Sequence, residues 1–274
     1  AFRDSAGKYL TLIGSTATMK SKNATVGKDE LFVVEESYPQ VGFQAFNGKY
    51  ASVKQGVDLY ANQSELEEKE TFQLEFVSEK KWRIRTYQGK LWTIAPSNGG
   101  IKGSAGDKDP NSVFEMDYLE DGTVTLKGSN DQFVTSKKLG LVSATSEKVG
   151  TEERFHLVLV NRPLIVFKCD FGFIGTRSGR VECNFVNYEA FTLESAPEGH
   201  YFVKVTNGDY WKVAESNKAI ELGSGGEPQK FILEFKSGHK LYIKAPNGCY
   251  LRGEQNGLIR ADTEDITTAI VWQF

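Results

Sequence analysis

The chain has 274 residues, of which 39% are hydrophobic, 25% charged and 12% aromatic, with 27 glycines against 7 prolines. That length can bury a substantial core as one large domain or two ordinary ones, and the composition predicts an all-β protein of many short strands joined by glycine turns. A formal net charge of −3, from 33 basic and 36 acidic residues, argues against a general nucleic-acid binder, which needs a cluster of unopposed Lys and Arg.

At the N-terminus, "AFRDSAGKYL" lacks the basic and apolar blocks of a secretory leader. No uninterrupted apolar run approaches the ~20 residues that span a bilayer, so a cytosolic chain without membrane insertion is expected. The triplets at Asn23 and Asn62 match the glycosylation pattern, which has no meaning in the cytosol. In chain order, turn-plus-aromatic segments then alternate with short apolar/polar strands. The turn "AGKYL" at Ala6 is followed by the strand "LFVVE" (Leu31 to Glu35), "NGKYA" at Asn47 by "TFQLEF" (Thr71 to Phe76), and "QGKLW" at Gln88 by "VFEMDY" (Val113 to Tyr118). Next come "NDQFV" at Asn130 with "RFHLVL" (Arg154 to Leu159), and "FGFIG" at Phe171 with "AFTLE" (Ala190 to Glu194). The last two are "NGDYW" at Asn207 with "KFILEF" (Lys230 to Phe235), and "NGCYL" at Asn247 with "VWQF" (Val271 to Phe274).

The strand aromatics fall at Phe32, Phe72, Phe114, Phe155, Phe191, Phe231 and Trp272, which is a repeat of about forty residues. Asn-Gly supplies the positive backbone angles of a tight turn, so the stretch "NGKYASVKQG" at Asn47 reads as a hairpin rather than a ligand loop built on Lys49 and Lys54. Units of this length suit β-propeller blades or β-trefoil lobes. Seven blades would fill the chain, whereas lobes in threes give two complete trefoils and one lobe left over.

Chemistry is sparse. His156, His200 and His239 are scattered, no G-x-S-x-G announces a nucleophile elbow, and the glycine run from Gly99 to Gly106 lacks the ending of a phosphate loop. The charge run "SELEEKE" (Ser64 to Glu70) reads as a solvated edge rather than a cation site. Cys169, Cys183 and Cys249 have neither the even number of a disulfide framework nor the spacing of a zinc site. No cofactor, no metal and no enzymatic step are expected.

Several longer motifs, "ATVGKDELF" from Ala24, "ETFQLEF" from Glu70, "FVTSKK" from Phe133, "NRPLIVF" from Asn161, "GFIGTR" from Gly172 and "YWKV" from Tyr210, resemble those of fascins along the whole chain. The resemblance implies a cytosolic, monomeric, actin filament-crosslinking protein of the cytoskeleton and cell protrusions, built from four β-trefoils, of which this chain is similar to the C-terminal part. By that likeness residues 1–38 form the last lobe of a truncated trefoil, 39–160 the third trefoil and 161–274 the fourth, with Pro39 and "NRP" at Asn161 marking the junctions. The lone lobe, with Phe2, Tyr9, Leu10, Leu31, Phe32 and Val34, would lack most of its packing partners, so it is expected either to dock or to fray.

The resemblance also implies filament contacts. In the fourth trefoil these are Arg177, Lys244 and Arg252, with Asp170 at an acidic position. Elsewhere they are Lys20, Lys127, Lys137 and Lys138. Thr123 and Ser178 stand where the vertebrate pattern has basic residues, and Phe171 where it has histidine. Weakened filament binding and poor bundling are expected of this chain alone. The rival readings are a carbohydrate-binding trefoil, although the Q-x-W repeat of ricin-type lectins is absent, and a secreted trefoil cytokine.

Overall fold

The structure is a computed structural model and describes residues 1–14, 18–33, 37–53, 56–223 and 225–274. Lys54, Val34 and Glu35 therefore lie outside the described residues. Two compact units divide the chain, Ala1–Ser37 and Tyr38–Phe274. Among the described residues there is no α-helix, and single turns of 3-10 helix link strands.

The smaller unit is one trefoil lobe, a hairpin of Tyr9–Ile13 against Thr18–Asn23 followed by the turn Lys28–Glu30. Phe2 and Phe32 stack at 5.8 Å, and buried Glu30 accepts hydrogen bonds from Asn23 and the Gly27 N–H. The strand expected from Leu31 does not form over Leu31–Val33, which are extended without a ladder; Val33 is 87% exposed. A strand needs a neighbour to satisfy its backbone, and the unit's one described ladder joins the two hairpin strands to each other.

In the larger unit, apolar alternation and turn residues build two closed barrels in succession. The upstream barrel is a ring of six antiparallel strands in which Gln40–Ala45, Phe72–Ser78, Lys81–Arg85, Phe114–Tyr118, Val124–Lys127 and Phe155–Leu159 pair in turn, the last returning to the first with Leu159 opposite Val41. Three hairpins cap it: Tyr50–Ser52 with Tyr60–Gln63, Leu91–Ile94 with Ile101–Ala105, and Phe133–Ser136 with Val142–Ser146. The downstream barrel repeats the plan from Leu164–Ile165 to Trp272–Gln273, closing through Lys168 opposite Gln273. Its caps are Gly172–Arg177 with Arg180–Phe185, Tyr210–Val213 with Ile220–Gly223, and Tyr250–Gly253 with Ile259–Thr263. These are two complete β-trefoils preceded by a single lobe, and closure removes the sheet edges.

Each trefoil buries two tryptophans, of which one, Trp92 or Trp211, packs among three phenylalanines. Trp92 lies 5.1, 4.9 and 6.3 Å from the rings of Phe43, Phe72 and Phe114, and Trp211 lies 5.8, 5.1 and 6.1 Å from Phe167, Phe191 and Phe231. The other two lobes carry smaller residues at the same repeat position, Ala51 and Val134 upstream, Ile174 and Leu251 downstream. One large and two smaller side chains fill the axis; three indoles would overpack it.

The turns that begin with asparagine, two Asn-Gly and one Asn-Asp, are structural. Asn47, Asn130 and Asn247 donate their side-chain amides to the carbonyls of Ala61, Ala144 and Ala261, and Gly48 and Gly248 take φ of 73° and 82°. A second pin sits two residues before four of the six barrel aromatics, Phe72, Phe155, Phe191 and Phe231. Glu70 accepts from Ser52 Oγ and the Glu67 N–H, Glu153 from the Gly150 N–H, Glu189 from the Thr176 N–H, and Gln229 from the Val213 N–H. The solvated-edge reading of Ser64 to Glu70 is thus corrected at Glu70, which is buried because its oxygens are consumed by these donors.

The two trefoils meet through reciprocal tyrosines. The Tyr201 hydroxyl accepts from the Leu159 N–H at 2.7 Å and donates to the Leu157 carbonyl at 3.2 Å, while the Phe235 N–H donates to the Tyr118 hydroxyl at 3.0 Å. Burial raises the pKa of both phenols, so both stay protonated. Asn161 adds a clasp, accepting from the Gln40 N–H and donating to the Tyr38 carbonyl.

Candidate functional site

The eight sequence-nominated residues fall into two kinds, those committed to internal partners and those left free. Lys127 ends a barrel strand opposite Phe133 and pairs with Asp131 at 3.2 Å. Lys244 holds the same repeat position in its lobe, opposite Tyr250; its ammonium lies 5.5 Å from that ring centre and donates to the Glu120 carbonyl at 3.1 Å, across the seam between trefoils. Lys204 and Lys168 repeat the stacking, on Tyr210 and Phe173. Repetition of this arrangement shows that a lysine here has a local structural task.

Arg177 and Arg252 belong to the downstream hairpin cap. Arg177 lies over the Phe185 ring at 4.6 Å and pairs with Glu182 at 3.1 Å. Arg252 pairs with Asp262 at 2.8 Å and Glu254 at 3.4 Å, and the Asp262 hydrogen bond raises its pKa. Asp170 is exposed in the turn after Lys168–Cys169. Lys20 is exposed on Thr18–Asn23, within the smaller unit.

Lys137 and Lys138 differ. They occupy the turn between Phe133–Ser136 and Val142–Ser146, which is fixed by hydrogen bonds from the Lys137 N–H to the Leu141 carbonyl and from the Gly140 N–H to the Lys137 carbonyl. Gly140 takes φ of 89° and lies against the Ala61 carbonyl, where a Cβ would come within 2.9 Å. Both lysines are exposed, and neither has an ion pair among the described residues. Leu139 beside them is 92% exposed. Sequence reasoning passed over Leu139, although an apolar residue in a turn that polar residues normally fill is a legible signal. Lys127 and Lys137 lie at opposite ends of the strand Phe133–Ser136, roughly 13 Å apart at ~3.3 Å per residue.

Of the other cations, Lys49 donates to Ser64 Oγ at 2.8 Å, Lys80 pairs with Asp117 at 2.6 Å, and Arg85 pairs with Glu75 and Asp107, which raises its pKa. Among the described residues no group of three His, Cys, Asp or Glu side chains could hold a metal ion, and no helix is long and apolar enough to cross a membrane.

The fold and these surfaces define a tandem β-trefoil protein whose candidate site is a set of surface cations. The fascin-domain family model matches residues 46–157 and 170–274, and the chain belongs to the fascin family. Fascin-2 of Bos taurus is 37% identical over 278 residues, covering 100% of this chain and 56% of that protein. Fascin of Strongylocentrotus purpuratus is 31% identical over 287 residues, covering 99% of this chain and 55% of that protein. The chain thus spans about half the length of these relatives. Among solved structures, the designed three-fold symmetric protein ThreeFoil is similar over 44% of this chain and 97% of its own, at 13% identity and a TM-score of 0.40.

Proposed function

We propose that this chain is part of an actin filament crosslinker of fascin type, acting by binding without catalysis or cofactor, as a monomer in the cytoplasm at the actin cytoskeleton and cell protrusions. Residues 1–38, 39–160 and 161–274 are its structural divisions. The observation that carries the reading, within a chain of the fascin family, is the pair of unopposed lysines at a rigid hairpin tip. Lys137 and Lys138 offer their full charge to an acidic filament surface, since no internal carboxylate must first be displaced. Arg177, Lys244, Arg252 and Lys127 would each have to exchange an internal partner for an external one, so in this reading they, with Asp170 and Lys20, are secondary contacts.

Bundling requires two separated sites on one body, and many weak bridges along a filament pair sum through effective concentration. A chain that spans about half of its relatives is expected to bind filaments weakly and bundle them poorly. Cosedimentation with filamentous actin tests the reading. Lys137→Glu with Lys138→Glu should reduce pelleting at high speed several-fold, and wild-type binding should fall as salt rises. Binding that ignores both changes would remove this hairpin from the interface, and selective retention on a glycan array would favour the lectin reading.

A further inference from the structure

The tip of the hairpin formed by Phe133–Ser136 and Val142–Ser146 carries an apolar side chain that the fold does not ask for. The Gly140 N–H donates to the Lys137 carbonyl at 2.6 Å, so Lys138 and Leu139 are the two central residues of a β-turn, and the Lys137 N–H closes the loop on the Leu141 carbonyl at 2.9 Å. The turn is held from outside as well. The Ala61 N–H donates to the Gly140 carbonyl at 2.6 Å, the Val142 N–H to the Leu59 carbonyl at 3.1 Å, and the Ser136 N–H to the Glu152 carbonyl at 2.9 Å. Ser136 and Val142, at the base of the turn, are fully buried.

On this rigid mount Leu139 is the most exposed large apolar side chain among the described residues. Neither the core nor the repeat explains it. Matching tips of other hairpins read Pro-Ser-Asn-Gly from Pro96, Ser-Gly from Ser178, Glu-Ser-Asn-Lys from Glu215 and Gln-Asn-Gly from Gln255, with no leucine, valine, isoleucine or aromatic residue among them. Leu141, opposite Tyr60, adds a second partly exposed apolar residue at the same turn. The charges beside it have one sign, since the chain from Phe133 to Ser146 holds Lys137 and Lys138 and no acidic residue.

We propose that Leu139 is a contact residue of the filament interface, an apolar anchor that enters a recess of an acidic surface while Lys137 and Lys138 pair with the rim. This role rests on the filament-binding reading of the hairpin and specifies the chemistry of the partner. Two unopposed cations without a carboxylate in the same hairpin select an acidic surface. The leucine sets a second requirement, because it gains from leaving water only where the partner offers apolar groups around it. A tip already fixed by its backbone hydrogen bonds loses little further freedom on docking. The two contributions respond differently to salt: sodium chloride screens the lysines and leaves apolar burial in place.

Cosedimentation of the folded chain with filamentous actin, repeated across sodium chloride concentrations, tests the role. Leu139→Ser should weaken binding about tenfold while keeping the wild-type dependence on salt, and Leu139→Met should bind as wild type does. Lys137→Glu with Lys138→Glu should instead flatten that dependence. Urea midpoints of both leucine variants should match wild type, because the side chain is exposed. Wild-type affinity in Leu139→Ser, alongside weakened binding in the lysine variant, would overturn the role of Leu139 and leave the lysines in place. A loss in Leu139→Ser that comes with a flattened salt dependence or a lowered midpoint would also overturn it, since the leucine would then act by holding the lysines or the turn. Failure of the wild-type chain to pellet with filaments would remove the filament reading and this role together.

Discussion

The upstream and downstream trefoils fill their centres alike and finish their surfaces differently. Both place one tryptophan among three phenylalanines, and both pin loops with an acceptor two residues before two of their three strand aromatics. Around that shared centre the upstream cap is richer in hydroxyl contacts, Ser52 on Glu70, Thr93 on Asp109 and Ser143 beside Thr145, with one ion pair, Lys102 with Asp58. The downstream cap is richer in ion pairs, Arg177 with Glu182, Lys212 with Glu221 and Arg252 with Asp262, with the Thr176 hydroxyl on Glu189. The barrel position that is Gln44, Arg85 and Lys127 upstream is Lys168, Lys204 and Lys244 downstream, where each lysine stacks on its cross-strand aromatic. The apolar centre obeys the repeat because its volume is fixed. The polar shell can change chemistry lobe by lobe because each solution meets the same few donors and acceptors.

The largest effects should test the likeness. Trp92→Ala and Trp211→Ala should each cost about 3–5 kcal/mol in urea unfolding; costs differing by more than about 2 kcal/mol would show that the two axes are not packed alike. Next come the pins. Glu70→Leu removes the acceptor that the buried Ser52 hydroxyl and the Glu67 N–H share and should cost about 1–3 kcal/mol, while Gln229→Leu removes only the acceptor of the half-buried Val213 N–H and should sit at the lower end of that range. Equal losses would mean that burial of the pin is irrelevant.

A finer division lies within the downstream trefoil. Glu194 and Glu234 are matching positions, both bonded to a tyrosine, yet the Tyr210 hydroxyl and Lys204 lower the first pKa, whereas burial raises the second against the opposing pull of Tyr250. Carbon-detected NMR should find Glu194 titrating below the ordinary 4.5 and Glu234 above it. The stabilities then run in opposite senses. The contribution of Glu194 is present above its unfolded value and lost as pH falls through the lowered folded value. That of Glu234 is present below its unfolded value and lost as pH rises through the raised folded value. Glu234→Gln should therefore gain on wild type as pH rises from about 4 toward 7, and a constant difference would place Glu234 in solvent. The smallest effect belongs to the cap: Arg252→Gln should cost about 0–1 kcal/mol and lose even that difference in high salt.

Much of the fold was legible because it is repeated. The aromatic beat marked six strands that exist, Phe72–Ser78, Phe114–Tyr118, Phe155–Leu159, Phe191–Ser195, Ile232–Ser237 and Trp272–Gln273. It failed at Leu31–Val33, which join no ladder among the described residues, since periodicity reports a face and not a partner. Glu70 reads only as charge, although a carboxylate or amide recurs two residues before the strand aromatic at Glu30, Glu70, Glu153, Glu189 and Gln229, because a charged letter does not report whether its oxygens meet backbone or water. The candidate site was harder still. Lys137 and Lys244 look equivalent as letters, and their difference arises from Glu120, a residue 124 positions away from Lys244.

The reciprocal tyrosines also set a timetable for biosynthesis. Tyr118 and the Phe235 N–H that meets it are 117 residues apart, so at ribosomal speeds of about 5–20 residues per second the partner emerges roughly ten seconds later. In that interval the upstream trefoil can close its own six-stranded ring, yet it carries a phenol that its own residues leave for another domain. A nascent chain halted between the two trefoils would display that phenol and the waiting backbone of Leu157 and Leu159, a surface for chaperones to hold until Tyr201 arrives.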